Sequence, residues 1–251
     1  MILFGYRVPM MASLIVWCVI WEVVGRSGAL FLIPPLSHVL VAAVALVQTG
    51  TWQSAALITL HSFVIGMGFA IVVGIALGVL MGRFKAMDEL FGIWVNIFVS
   101  APLSALVPVL MILFGIGETT VIVTVFLFAV WIIVLDTRAG IQHVPNSLIE
   151  MGRSYGAGTF ALYGKIVLLA ALPEILAGIR LGLVRGVKGV VIGQLLVSII
   201  GYGELFELYS RSFDMENFWA LTIILFAAAM LMSAAIEHIE KKVDYYAGVR
   251  S

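Results

Sequence analysis

Charged side chains are scarce in this chain. They make up 11% of its 251 residues, whereas a soluble domain carries about 25%. No Asp, Glu, Lys or Arg occurs between Arg26 and Arg83, a gap that a water-exposed domain would hardly leave. The formal charges cancel, so the chain lacks the basic surface that nucleic-acid binding requires. These absences exclude an ordinary soluble domain and a nucleic-acid-binding protein.

The residue types that hold metals and build catalytic centres are also few. Cys18 is the only cysteine, which excludes internal disulfides. The four histidines are scattered, so we expect no metal site. Gly164-Lys165 lacks the spacing and the following hydroxyl residue of a phosphate-binding loop. We therefore predict that the chain is not an enzyme and binds no cofactor of its own.

Apolar residues, in contrast, make up 63% of the chain, and the mean hydropathy is +1.15. A helix needs about 20 apolar residues to cross a bilayer. The sequence therefore predicts an all-α, polytopic membrane protein with about six transmembrane helices. These lie near Val8–Val24, Leu57–Gly82, Leu90–Leu113, Thr120–Leu135, Leu172–Ile199 and Phe218–Ile236. We interpret Phe31–Val47, which contains Pro34-Pro35, as an interfacial or partly buried helix.

The distribution of basic residues predicts the orientation. An even number of spans places both termini on one side, and with the N-terminus inside, nine basic residues fall on the inner face. They are Arg7, Arg83, Lys85, Arg138, Arg153, Lys165, Lys241, Lys242 and Arg250. The outer face receives only Arg26 and Arg211. Because basic loops stay in the cytoplasm, we expect both termini and the 142–165 segment to be cytoplasmic.

Three parts follow along the chain. Residues 1–55 form an N-terminal span with the interfacial segment. Residues 56–240 form the membrane core, interrupted by a polar cytoplasmic loop at 142–165. Residues 241–251 form a cytoplasmic tail.

The second and third predicted spans carry residues that shape helices. Gly74, Gly78 and Gly82 form a ridge of small residues that allows close helix packing, either within one subunit or at a subunit contact. Pro102 and Pro108 each remove a backbone donor and predict helix kinks. A kinked helix could line a transport path with Ser104, or the kinks could be merely structural.

The fifth predicted span contains charges close to the middle of the membrane. Arg185 and Lys188 are three residues apart, hence on one helix face, and Gln194 follows. Charges within a membrane span are costly and functional by default, so a substrate path that favours anions is one interpretation. Structural pairing with Asp136, with Glu22 or with a partner subunit is the other.

The polar segment Gln142–Lys165 is longer than a plain turn between two spans. Pro145 or Asn146 can start a short helix, with Asn146 a good N-cap. Gly156 suits the left-handed residue that follows a helix. A second helical piece, Thr159–Val167, then leads to the next span. A compact helix–turn–helix of this kind could connect a soluble partner to the membrane.

The same segment resembles the cytoplasmic EAA loop of ABC importer permeases. The pattern is Glu150-Met-Gly-x-x-x-Gly156, nine residues, then Ile166 and Leu168. VPVLMILFGIGETT, LPEILAGIRLGL and GYGEL fit as well. From about His61 to Ile239 the chain is similar to permeases of the nitrate, sulfonate, taurine and bicarbonate group. The chain departs from that pattern at Leu169, where proline is common, and at Met151 and Gly152, where the motif has alanines.

This resemblance implies a type I ABC importer architecture, a place in a bacterial inner membrane and several partners. Two permeases, as a homodimer or a heterodimer, would bind a cytoplasmic ATPase dimer, which binds the ATP, and a periplasmic or lipid-anchored substrate-binding protein. The coupling contact with the ATPase would involve Glu150, Met151, Gly152, Ser154, Tyr155 and Gly156.

The function expected from the resemblance is import of a small anionic solute, with Arg185, Lys188, Gln194 and Ser104 as candidate path residues. A stand-alone secondary transporter or channel, with an ion site at Arg185 and Lys188, is the competing hypothesis.

Overall fold

The computed structural model describes residues 2–3, 6–7, 10–197 and 199–247, with side chains at 12–197, 199–231, 234, 237 and 238. The all-α prediction is confirmed, apart from a short antiparallel pair of strands, β1 (Ile2–Leu3) and β2 (Tyr6–Arg7). The helices are α1 (Met10–Ser27), α2 (Leu36–Val47), α3 (Gly50–Arg83), α4 (Lys85–Ser100), α5 (Val107–Phe114), α6 (Glu118–His143), α7 (Asn146–Ser154), α8 (Thr159–Leu162), α9 (Leu168–Ala170), α10 (Leu172–Val197), α11 (Gly201–Arg211) and α12 (Met215–Ala247). A 3-10 turn occupies Leu103–Leu106, and a π-helical turn occupies Tyr163–Val167.

Over the described residues, α3 and α6 are each long and apolar enough to cross a membrane without a break. Two bent pairs meet the same test when each is counted as one span: α4 with the segment Leu103–Phe114, and Thr159–Ala170 with α10. The first and last predicted spans fall in α1 and α12. Val8, where the first was predicted to begin, and Arg250 of the tail lie outside the described residues.

The predicted boundaries of the N-terminal part and of the tail both fall inside helices. Thr49 caps α3 by accepting a hydrogen bond from the Trp52 backbone N–H at 3.3 Å, so α3 begins before residue 55. At the other end, α12 continues to Ala247.

The centre of the fold is α6, which packs between α3 and α10. Residues of the α3 ridge sit directly on α6: a Cβ at Gly78 would lie 2.6 Å from the Thr137 Cβ, and one at Gly82 would lie 2.6 Å from the Ile141 Cβ. On the other side, a Cβ at Gly182 would lie 2.7 Å from Ile133 Cγ1. Small residues let helix backbones approach this closely. The ridge therefore packs within one chain.

The third predicted span is a broken helix. The segments on either side of the break differ in direction by 97°, and Pro102 lies at the break, just before the 3-10 turn. The kink expected at Pro108 is wrong, since Pro108 lies in the first turn of α5. A missing N–H costs nothing there, because the first turn of a helix has no intrahelical acceptor for it.

The interfacial segment forms α2, which begins after Pro34-Pro35 and packs against α12. Two tryptophans fix the preceding loop: Trp21 Nε1 donates to the Pro34 carbonyl at 3.0 Å, and Trp219 Nε1 donates to the Leu32 carbonyl at 2.8 Å.

Candidate functional site

The connection from α6 to α10 forms a compact helical unit, called here the coupling segment (residues 146–170). Its first helix, α7, ends as the sequence predicts. Gly156 has φ +77°, the left-handed conformation. Its N–H donates to the Arg153 carbonyl at 2.9 Å, and the Ala157 N–H donates to the Gly152 carbonyl at 3.0 Å. These two bonds form a Schellman motif, which satisfies carbonyls at the helix end.

The start of α7 differs from the prediction in one respect. Asn146 is the first helical residue and not the N-cap, and Pro145 occupies the cap position without a side-chain bond. The second helical piece is confirmed at Thr159–Val167, as α8 followed by the π-helical turn.

The candidate contact residues of α7 divide between two faces. The exposed ones are Glu150, Met151, Ser154, Tyr155 and Gly156. Gly152 is buried, and a Cβ there would lie 2.6 Å from the Cδ1 atoms of both Leu162 and Ile166. The expectation that Gly152 touches a partner is therefore corrected: its missing side chain lets α7 pack on the second half of the coupling segment.

Two large aromatic side chains flank the turn after α7. Tyr155 is 86% exposed and Phe160 is 95% exposed. Tyr155 was expected to neighbour a partner, but Phe160 was not singled out, although an aromatic residue four positions after Gly156 in a polar loop is a visible signal. Exposed aromatic residues are enriched where proteins bind one another. Phe160 therefore extends the candidate contact surface beyond α7.

The coupling segment rests on an apolar cluster at one end of the helix bundle. Ile141 and Val144 at the end of α6 pack there with Val167 of the π-helical turn and with Ile175 of α10. Movement of the segment would therefore act on both α6 and α10.

The two charges of α10 lie in different surroundings. The Arg185 guanidinium donates to the Val99 carbonyl of α4 at 3.5 Å and interacts electrostatically with Asp136 of α6. Lys188 is exposed and lines a groove of about 790 Å³ between α10, α11 and α12, with Phe206 and Phe218 among its walls. The structure therefore gives the two charges different neighbours: Arg185 reaches α4 and α6, and Lys188 lies in the groove beside α11 and α12.

Gln194 was expected to line a polar path, but it is 1% exposed. Its Oε1 accepts a hydrogen bond from the Thr59 hydroxyl of α3 at 3.0 Å, and Gly201 and Gly203 pack directly on it. We correct that expectation: Gln194 joins α3, α10 and α11. Ser104 is exposed in the turn after the Pro102 break, which leaves it available to a path.

Among the described residues, no group of three or more His, Cys, Asp or Glu side chains could hold a metal ion.

Comparison with known proteins identifies the family. Residues 70–245 match the family model described as "binding-protein-dependent transport system inner membrane component". A putative ABC transporter permease of Methanocaldococcus jannaschii is 30% identical over 77% of this chain and 73% of its own. The glycine betaine/carnitine/choline permease protein OpuCD of Bacillus subtilis is 31% identical over 64% of this chain and 68% of its own.

A solved structure shares the fold. The chain from inward-facing crystals of the MetNI methionine ABC transporter aligns with a TM-score of 0.65 at 24% identity, covering 77% of this chain and 96% of that one. At this identity the likeness speaks for the fold alone, and it agrees with the type I importer architecture.

Proposed function

Because the chain belongs to the family of binding-protein-dependent transport system inner membrane components, we propose that its coupling segment is the contact through which an ABC ATPase drives transport. The chain is an ABC importer permease, a membrane subunit and not an ATPase. Such permeases work with an ATPase and with a substrate-binding protein.

The observation that carries this proposal is the exposed surface of the coupling segment. Glu150, Met151, Tyr155 and Phe160 are exposed, while the opposite side of the segment is packed on α6 and α10. A surface with two exposed aromatic residues, held by a Schellman turn on a rigid support, suits insertion into a groove of a partner.

Several finer assignments belong to the same proposal. The permease works as a homodimer or heterodimer, its termini are cytoplasmic, and the ATPase dimer binds on that side. The binding protein approaches from the outer side. The distribution of basic residues supports this orientation.

The transported solute is small, and two observations bear on its charge. Lys188 in its apolar groove supports an anion, as in the nitrate, sulfonate and taurine group. Relatives named for glycine betaine, carnitine and choline favour a quaternary ammonium compound instead. The stand-alone transporter hypothesis is not retained, because the family is now known and Arg185 and Lys188 have different neighbours.

Co-purification with the ABC ATPase encoded nearest to the gene tests the proposal. We expect the wild-type chain to retain the ATPase, and expect Glu150→Ala and Phe160→Ala to weaken the complex. Loss of an aromatic anchor at an interface typically costs about 2 kcal/mol, so the dissociation constant should rise about thirtyfold.

Glu204→Ala is the matched control, because Glu204 is an exposed glutamate of α11, far along the chain from the coupling segment. Retention of the ATPase by Glu150→Ala and Phe160→Ala at wild-type affinity would contradict the proposed contact.

A further inference from the structure

A short elbow joins α3 to α4 beside the coupling segment. Phe84 alone separates the two helices and has extended backbone angles, φ −114° and ψ 114°. Its N–H donates to the Leu80 carbonyl at 2.9 Å, and its carbonyl accepts from the Asp88 N–H at 3.0 Å. We define the elbow as residues 83–88. Its backbone is hydrogen-bonded to the helices on both sides, and Phe84 is the one residue between them that is not helical.

One side of the elbow contacts the coupling segment. The Arg83 guanidinium carbon lies over the ring of Tyr163, 4.5 Å from its centroid. Tyr163 is the first residue of the π-helical turn, and such turns are frequent at functional sites. A cation over an aromatic face at this distance is a favourable contact.

The other side of the elbow is bound to α6. Arg138 Nη2 donates to Asp88 Oδ2 at 2.7 Å, and Arg138 Nε lies 2.5 Å from Asp88 Oδ1. Gln142 Nε2 adds a longer contact to Asp88 Oδ2 at 3.5 Å. The side chains of Asp88 and Arg138 are 19% and 26% exposed. Of the two Arg138 contacts, only the one from Nη2 has hydrogen-bond geometry. A charge-assisted hydrogen bond that is partly removed from water is stronger than an exposed ion pair.

The helix that leaves the elbow is loosely packed. Val95 is the one buried residue among the described residues of α4, whereas α3 is held on α6 by its glycine ridge. An element with few buried apolar contacts moves at low cost. The Asp88–Arg138 pair and the stacked rings of Phe98 and Trp131, whose centroids are 4.5 Å apart, therefore join α4, and with it the 97° break and Ser104, to α6.

We propose that the elbow is the joint that transmits movement of the coupling segment to the broken helix, with Asp88, Arg138, Arg83 and Tyr163 as its positioning residues. Displacement of the π-helical turn acts on Arg83 through Tyr163, and displacement of the end of α6 acts on Asp88 through Arg138. Both displacements turn α4 about the elbow. This inference rests on the proposed function, since it takes the coupling segment as the point where the ATPase acts.

A cysteine reporter at the break tests the joint. Ser104→Cys is introduced in a Cys18→Ser background, and the permease is purified with its ATPase. The rate of reaction with a charged methanethiosulfonate reagent is then measured without nucleotide and with ATP plus orthovanadate. We expect the two rates to differ about tenfold, the usual size of coupling between distant sites, and expect Asp88→Asn to remove the difference while the ATPase still co-purifies.

Matched variants distinguish loss of a positioning contact from general destabilisation of the fold. Glu89→Gln changes the neighbouring acid, which contacts only Lys85 at 3.7 Å, and should keep the nucleotide effect. The exchange of Asp88→Arg with Arg138→Asp should restore it. Tyr163→Phe keeps the aromatic face and should behave as wild type, whereas Tyr163→Leu should not.

The proposed function and the proposed joint are tested by different results of this experiment. Absence of the ATPase from the wild-type preparation would overturn the proposed function. An intact complex in which Ser104→Cys does not respond to nucleotide, or in which Asp88→Asn leaves the response unchanged, would overturn the joint alone.

Discussion

At the end of α7, Gly156 permits a backbone conformation, whereas Gly152 permits a close approach of side chains. Only the first role is local. The left-handed conformation after a helix can be predicted from the adjacent sequence, because glycine is preferred there. Gly156 adopts φ +77° as predicted. The burial of Gly152 depends on Leu162 and Ile166 folding back over α7, which no local pattern specifies. For this reason the resemblance predicted Gly152 on the contact surface, whereas in the structure it is buried.

Replacing Gly152 with valine should therefore displace the coupling segment without touching its exposed face. The Cβ of the new side chain lies 2.6 Å from the Cδ1 atoms of Leu162 and Ile166. Because these terminal methyls can shift, we expect overpacking to cost about 1 kcal/mol, the low end of its usual range. We expect faster limited proteolysis between α6 and α10 and weaker binding of the ATPase. Gly158→Val adds the same side chain where no atom lies within 4 Å. Equal proteolysis of the two variants would contradict the packing role.

Among whole elements, the hydropathy pattern predicted the helices well because lipid leaves few alternatives to a helix. It predicted the α3 ridge as a packing surface but could not choose its partner. The partner is α6, reached through Gly74, Gly78 and Gly82. Pro102 marked where the third predicted span changes direction, but a bend of 97° depends on what surrounds the break. Pro108 resembles Pro102 in sequence and differs only in its position within a helix.

The substitution Gly78→Leu should separate α3 from α6. The added Cβ would meet Thr137 Cβ at 2.6 Å and the Val134 carbonyl oxygen at 2.9 Å. Because the carbonyl belongs to a helix backbone that cannot yield, we expect destabilisation at or above the usual 1–3 kcal/mol of overpacking. The melting temperature of the purified permease measures it. Gly68→Leu lies in the same helix with no atom within 4 Å of its Cβ, so a similar loss in both variants would argue against the ridge.

For the whole molecule, the scarcity of charge predicted a membrane protein. The resemblance of the 142–165 loop to the EAA loop predicted a permease, and the family comparison agrees. The charges that remain could not be assigned from spacing alone. Arg185 and Lys188 lie on one helix, yet each meets a different neighbour. Arg185 reaches the Val99 carbonyl of α4, whereas Lys188 lines a groove with residues of α11 and α12. The packing of the whole fold, and not the spacing along α10, therefore determines which of the two charges can meet the solute.

Lys188 is consequently the residue through which the charge of the solute can be tested. Its ammonium lies at a groove whose other lining residues include Phe206, Phe218 and Phe226. If the solute is an anion that passes there, Lys188→Gln removes a charged contact worth about 1.5–3 kcal/mol. Uptake of methanesulfonate by vesicles containing the full transporter should then fall more than tenfold, while Arg211→Gln, an exposed control paired with Glu207, should have no effect.

For a cationic solute, the expected change in uptake on Lys188→Gln has the opposite sign. The Lys188 ammonium repels choline, so Lys188→Gln should then raise choline uptake, and methanesulfonate should not be transported by either form. Measuring both solutes with both variants therefore decides between the two solute classes by the direction of one change. Transport that is the same with lysine and with glutamine would mean that the solute does not pass the groove, and Ser104 at the broken helix would become the residue to test next.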